Sequence, residues 1–156
     1  MTYSICKVEQ GSILAKMFRD YVASFSWEEA KEHLLWMIDT WSWADWESPF
    51  VMLDGERIIG MVTAAKTDYY PLPDIYPWVS GIFVSEEYRG HRLSGQLIDF
   101  ANAYLRSLGF VQSYIPSIHT GLYEKYGYVY VRDIVNYGGD TDRLYRKELI
   151  GFSSCI

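Results

Sequence analysis

A chain of 156 residues suits one packed domain with a real core and leaves little room for a second. At 49% hydrophobic and 17% aromatic, with six Trp and fourteen Tyr, it is too apolar to be a disordered segment. Its net charge of −6 argues against a nucleic-acid-binding face, which is basic, and no run of residues has the length and apolarity of a membrane span.

Cys6 and Cys155 stand at opposite ends, outside any CxxC or Cys/His cluster, and read as reduced thiols. With His33, His91 and His119 scattered, no metal site is expected. The start, Met1-Thr2-Tyr3-Ser4, lacks a basic region followed by an apolar run, so a soluble, cytoplasmic protein is expected.

Thr2 to Val8 reads as a short first strand. Ile13, Leu14, Met17, Phe18, Tyr21 and Val22 then recur at helical spacing. A second helix is expected from Ser26 as N-cap, with Glu29 three residues on as in a capping box, through Leu34, Leu35 and Ile38. Phe50 to Leu53 and Arg57 to Ala65 read as strands joined through Asp54-Gly55, a strong hairpin signal. A Pro- and Tyr-rich loop from Asp68 to Pro77 leads into a β-rich run, Trp78 to Val84. Leu93, Leu97, Ile98, Ala101, Tyr104, Leu105 and Leu108 form the clearest helical stripe, closed by Gly109. Phe110 to Ile115 is a strand, Gly121 to Tyr126 a short helix ended by Gly127, and Tyr128 to Asn136 and Arg143 to Leu149 are further strands. Helices, a hairpin, one βαβ unit and more strands, in that order, predict a mixed sheet flanked by helices.

The chemistry concentrates in Val84-Ser-Glu-Glu-Tyr-Arg-Gly-His-Arg-Leu-Ser-Gly95. A strand here empties into a turn that feeds the N-terminus of an amphipathic helix. Unpaired backbone N–H groups and the positive end of the helix dipole suit an anion. Arg89 and Arg92 add charges matched to phosphate, and Gly90 and Gly95 allow the backbone a close approach. Gly90 to Gly95 has the G-x-x-x-x-G spacing of a P-loop, but Gln96 and Leu97 follow where Lys and Ser/Thr are needed. The dinucleotide fingerprint G-x-G-x-x-G is absent. A solvated surface turn is the plain alternative.

This stretch resembles the GNAT acyltransferase superfamily, whose signature is Arg/Gln-x-x-Gly-x-Gly/Ala between a strand and a helix. Here it reads Arg89-Gly-His-Arg92-Leu-Ser94. A second block, Leu122-Tyr-Glu-Lys-Tyr-Gly127-Tyr128, is similar to the family's Leu-Tyr-Glu-Lys-x-Gly-Phe, and the two cover about Trp78 to Val135. The chain departs from the pattern at Arg92 and Ser94, where Gly and Gly/Ala are usual, and at Pro116, where an Asn is frequent.

The resemblance implies an α+β fold: one N-acetyltransferase domain over residues 1–156, with a central mixed, largely antiparallel sheet of about six to seven strands flanked by helices. It implies acetyl-CoA as co-substrate and no metal. Backbone groups of Ile82, Phe83 and Val84 would bind the pantetheine arm and polarise the thioester carbonyl, while Arg89, Gly90, His91, Arg92, Leu93, Ser94 and Gly95 would hold the pyrophosphate. Tyr123 matches the family's general acid. A phenol with a pKa of about 10 protonates a thiolate of about 8.5 only modestly uphill.

The base stays open among Glu28, Glu29, Asp45, Glu47 and Asp68, each of which also reads as a solvated charge; His119 is a candidate relay or a structural histidine. Trp41, Trp43 and Trp46 either wall an acceptor pocket, with Asp45 and Glu47 drawing a cation, or cap the core or a dimer contact. Asp68-Tyr69-Tyr70 invites the same two readings. The expected activity is acetyl transfer to a primary amine of a small molecule or peptide, with a non-catalytic acyl-CoA-binding module or sensor as the alternative. Phosphoryl transfer rests on the glycine spacing alone. A homodimer is possible, since relatives often dimerise.

Overall fold

The structure, a computed structural model, describes residues 2–149, and Cys155 lies outside them. Among the described residues, strands and α-helices follow in the order β1 (Ser4–Lys7), α1 (Ile13–Ala23), α2 (Glu28–Thr40), β2 (Ser48–Asp54), β3 (Arg57–Ala65), β4 (Trp78–Val84), α3 (Leu93–Ser107), β5 (Gln112–Ser117), β6 (Val129–Val135) and β7 (Thr141–Glu148). The strands hydrogen-bond in one seven-stranded sheet, β1-β2-β3-β4-β5-β7-β6. β1–β2, β5–β7 and β6–β7 pair antiparallel, and β4–β5 pair parallel across the α3 crossover. The expected α+β class and mixed sheet are observed. The chain divides into two compact units.

The first unit runs to Thr63 and adds Gly81–Leu97. Ser12 caps α1, its hydroxyl accepting the Ala15 N–H at 3.0 Å, and the stripe Ala15, Phe18 and Val22 goes inside. α2 starts at Glu28, not from a Ser26 cap. Phe25 is buried and fixes the chain there, so Ser26 meets Glu28 through its carbonyl instead of its side chain, and Trp27 takes the cap position without a side-chain bond. Glu28 and Glu29 still complement the dipole of the first turn. Trp41 ends α2 in a left-handed conformation (φ 46°), its N–H on the Ile38 carbonyl. The chain then doubles back and buries Trp43 beside Phe18 and Trp41. Val8, Val22, Leu34, Val51 and Met61 complete this core.

The β2–β3 loop is Gly55 and Glu56, with Gly55 at φ 61°. A side chain at Gly60 would stand 3.0 Å from the Phe83 carbonyl oxygen and 3.2 Å from Leu97, so that glycine permits β3 and β4 to close on each other. Gly81, within β4, takes the left-handed conformation (φ 61°) just ahead of Ile82.

The second unit comprises Ala64–Ser80 and the described residues from Ile98 on. Trp78 on β4 is in register with Tyr114 on β5, and both pack with Ile134 and Leu144. Tyr70, Leu72 and Ile75 of the Pro- and Tyr-rich loop lie against this cluster. The Tyr70 hydroxyl donates to Asp142, which ties the loop to β7. A register shift between Tyr130 and Arg132 marks a bulge in β6. Gly109, at φ 96°, closes α3 as its position predicted, its N–H on the Arg106 carbonyl. Among the described residues, no helix is long and apolar enough to cross a membrane.

Candidate functional site

In the first unit β4 runs out at Val84 into a 3₁₀ turn, Glu86–Tyr88, and then into the residues before α3. The Ser85 N–H donates to the Ile59 carbonyl at 2.9 Å, and the Tyr21 and Ser85 hydroxyls lie 2.7 Å apart. The Tyr88 hydroxyl donates to Asp54 at 2.7 Å and Arg57 pairs with Glu87, so the turn is pinned to the β2–β3 hairpin.

Arg89 is committed locally. Its Nε donates to the Val84 carbonyl at 2.8 Å, and its guanidinium lies 5.3 Å from the Phe83 ring centre. Gly90 is left-handed (φ 85°), with nothing within 4 Å of where a Cβ would be. Arg92 is also left-handed (φ 59°), and its carbonyl accepts the Gln96 N–H that opens the ladder of the 15-residue α3. The position where the family pattern has Gly thus carries the backbone conformation that glycine adopts most cheaply. His91 and Arg92 are exposed, Leu93 is buried as the first apolar anchor of α3, Ser94 is half-buried and Gly95 is buried in the first turn. The first N–H groups of a helix lack intrahelical acceptors, and the dipole adds positive potential. A helix N-terminus of this kind, with open space at Gly90, suits an anion.

Ile82 and Phe83 are half-buried and Val84 is buried. Phe83 is the hub of an aromatic group that sequence reasoning missed. Phe25 stacks on it at 4.0 Å, Trp27 lies parallel at 6.4 Å, and Tyr21 meets it edge-on at 6.1 Å. Helical spacing marked Tyr21 as a core residue, but nothing local indicated partners some sixty positions away. A cavity of about 490 Å³ opens beside this group, its walls including Tyr21, Phe25, Phe83, Ser85, Glu86 and Glu87.

Trp43 is 4% exposed and sits in the core, with Trp41 packed against it, so the packing of both favours the core reading. Trp46 is half-buried and Asp45 exposed. Glu28 is exposed and pairs with Lys31, Glu29 is exposed, and Glu47 accepts the Ala44 N–H.

In the second unit, Tyr123 opens a 3₁₀ helix, Tyr123–Tyr126, that ends at left-handed Gly127. Its ring is half-buried and lies 6.1 Å from the Tyr145 ring. Burial, and secondarily Tyr126, raises its phenol above the ordinary value. His119 is exposed; its N–H donates to Ser117 and its carbonyl accepts the Tyr145 hydroxyl at 2.8 Å. Asp68 is half-buried, accepts the Tyr69 N–H at 2.6 Å, and lines a second cavity of about 430 Å³ with Tyr70 and Tyr137. Among the described residues no His/Cys/Asp/Glu group gathers in a way that could hold a metal ion.

A family model described as "Acetyltransferase (GNAT) family" matches residues 14–128. No curated protein matches the chain. Among solved structures, it is similar to an aminoglycoside 6'-N-acetyltransferase complexed with coenzyme A (14% identity, TM-score 0.71, covering 95% of this chain and 98% of that one). It is similar too to the aminoglycoside 6'-N-acetyltransferase of Enterococcus faecium (15%, TM-score 0.71, 95% and 98%). An acetyltransferase of Streptococcus agalactiae 2603 gives 17%, TM-score 0.69, 94% and 98%. At these identities the likeness is one of fold.

Proposed function

This chain belongs to the acetyltransferase (GNAT) family and is an acyltransferase, and we propose on that premise that it moves the acetyl group of acetyl-CoA to a primary amine of a small molecule or peptide. The observation that carries the proposal is the turn before α3: left-handed Gly90 and Arg92 on either side of His91, open space at Gly90 and a 15-residue helix behind them. Such a turn fits a pyrophosphate with backbone N–H groups alone, which is why Arg92 and Ser94 are compatible with it. Residues Arg89 to Gly95 are the proposed pyrophosphate cradle. Residues 82–84 are the proposed ligands of the pantetheine arm.

Acetyl-CoA would bring the acetyl group as a thioester. Backbone donors of Ile82, Phe83 and Val84 stabilise the oxyanion as the amine nitrogen bonds to the carbonyl carbon. The carbon–sulfur bond then breaks, and the leaving thiolate takes the phenolic proton of Tyr123. The nitrogen gives up one proton to solvent on becoming an amide, and solvent returns one proton to the Tyr123 phenolate. The raised phenol of Tyr123 keeps that proton in place across the neutral range. No single carboxylate stands out as base, so Glu28, Asp68 and His119 stay in the proposal only as acceptor-side groups, together with Trp46 and the rim of the Trp41–Trp43 pair.

The whole chain, residues 1–156, is taken as one acetyltransferase domain working in the cytoplasm. β6 ends the sheet with exposed Val129 and Val135, which favours a homodimer. The decisive experiment is thiol release from acetyl-CoA across polyamines, aminoglycosides, amino acids and peptide N-termini. Acetyl-CoA at a hundredfold over its Kd should raise stability by about 2.7 kcal/mol. Tyr123→Phe should cut turnover by roughly 10²-fold or more while coenzyme affinity holds. Melting that ignores acetyl-CoA would sink the proposal.

A further inference from the structure

Three buried polar side chains in the second unit stand outside the chemistry proposed above. Asn102 on α3, Ser113 on β5 and Tyr128 just before β6 are 6%, 0% and 1% exposed. Ser113 Oγ donates to Asn102 Oδ1 at 2.6 Å. Asn102 Nδ2 donates to the Tyr128 hydroxyl at 3.0 Å, and the Tyr128 and Ser113 oxygens are 2.7 Å apart. Each hydroxyl has one proton. With the Ser113 proton on Asn102, the Tyr128 proton has the Ser113 oxygen at 2.7 Å and Asn102 Oδ1 at 3.4 Å as acceptors, and the three groups close a ring. Every member is satisfied, so the ring holds one geometry in a core that would otherwise penalise it.

What that ring holds is the turn that carries Tyr123. The Tyr128 N–H donates to the carbonyl of Tyr123 itself at 3.2 Å. Between them, Gly127 is left-handed, and a side chain there would come within 3.1 Å of Lys147, whose Nζ donates to the Tyr126 carbonyl at 2.7 Å. Tyr145 holds the upstream end through the His119 carbonyl and packs its ring near that of Tyr123. The segment is therefore anchored at both ends, and its downstream anchor is a buried hydroxyl with no other assigned task.

We propose that Tyr128 is a positioning residue for Tyr123, acting through its closed hydrogen-bond ring with Asn102 and Ser113. The proposal rests on the proton-donor role given to Tyr123. Removing the Tyr128 hydroxyl leaves Asn102 and Ser113 each short of a partner. They will repack, and the start of β6, with the Tyr123 carbonyl attached to it, will shift. Proton transfer to a departing thiolate is sensitive to such a shift, whereas coenzyme binding through residues 82–95 is not.

The test uses Tyr128→Phe, Ser113→Ala, Tyr123→Phe and the double variant Tyr123→Phe/Tyr128→Phe, with melting recorded for each. With acetyl-CoA and whichever amine the wild-type protein acetylates, Tyr128→Phe should lower kcat about ten- to hundredfold, and Ser113→Ala should lower it less. KM for acetyl-CoA should stay within about twofold for both. In the Tyr123→Phe background, Tyr128→Phe should cost nothing further in kcat. Independently of any acceptor, Tyr123 labelled at ¹³Cζ should titrate nearer pH 10 in Tyr128→Phe and Ser113→Ala than in the wild type, its ring having lost burial. A normal kcat in a folded Tyr128→Phe, a loss that simply multiplies with that of Tyr123→Phe, or an unmoved Tyr123 titration overturns the proposal. Full turnover in Tyr123→Phe instead removes the proton-donor role, and the positioning role with it.

Discussion

The Tyr21 hydroxyl lies 2.7 Å from Ser85 Oγ, joining the last turns of α1 to the residue that follows β4. Ser85 is held from the other side by its N–H on the Ile59 carbonyl. The start of the proposed pyrophosphate turn is therefore gripped by a helix and a strand. Tyr21→Phe should cost about 1 kcal/mol of stability, the worth of one half-buried hydrogen bond. Ser85→Ala should cost about the same, and the double variant less than their sum. Denaturant unfolding of the four proteins measures this, and strict additivity would mean the two hydroxyls do not interact.

Burial pushes the phenols of Tyr21 and Tyr128 up to about 12, from an ordinary value of about 10. Both are retained as neutral phenols in the folded chain over a range where the unfolded chain has lost the proton. A raised folded value means the stabilisation is whole below about pH 10 and disappears as pH climbs toward 12. Burial first, and then the hydrogen bond to Asp142, raises Tyr70 in the same direction. Unfolding free energy should be level from neutral pH to about 10 and fall steeply above it. Tyr21→Phe/Tyr128→Phe should begin lower and fall less. A wild-type protein equally stable at pH 8 and pH 12 contradicts this.

These tyrosines also mark where the sequence stops being legible. Strand and helix order follows from periodicity and turn chemistry, which are local: the Gly55 hairpin, the Gly109 cap and the α3 stripe all emerge where spacing puts them. Ser26 misleads because its cap signal is local too, and burial of Phe25 outweighs it. The motif blocks locate the turn before α3 and the Tyr123 segment, but not what supports them. Tyr21 reaches Ser85 across 64 positions, and Tyr128 reaches Asn102 across 26, through geometry that no pattern in the chain announces.

Of the tryptophan stretch after α2, packing places Trp43 in the core. Trp43 is 4% exposed, with Phe18 at 6.3 Å and Trp41 at 5.2 Å between ring centres. Trp43→Ala should remove about 3–5 kcal/mol, the cost of an aromatic deleted from a filled core. Any fall in activity should track the fraction unfolded and vanish when assays are run well below the lowered Tm. A folded Trp43→Ala with native Tm and altered acceptor preference would return Trp43 to the acceptor side.

Arg92 holds φ 59° at the mouth of α3, a conformation that costs a residue with a Cβ about 1–2 kcal/mol. Glycine removes that strain but brings a more flexible unfolded chain, a loss of roughly 0.5–1 kcal/mol. The balance predicts that Arg92→Gly is neutral to stabilising by up to about 1 kcal/mol. Arg92→Val, β-branched and least suited to positive φ, should be the least stable of the three. If the backbone makes the pyrophosphate contacts, Arg92→Gly also retains turnover. Its coenzyme Kd should then rise only a few-fold, and less at high salt, because only an exposed charge has gone. Melting temperatures ordered Gly, Arg, Val from high to low, with acetyl-CoA affinity measured at two salt concentrations, check both halves. A collapse of coenzyme binding in Arg92→Gly at every salt concentration would move the phosphate contact from the backbone to the guanidinium.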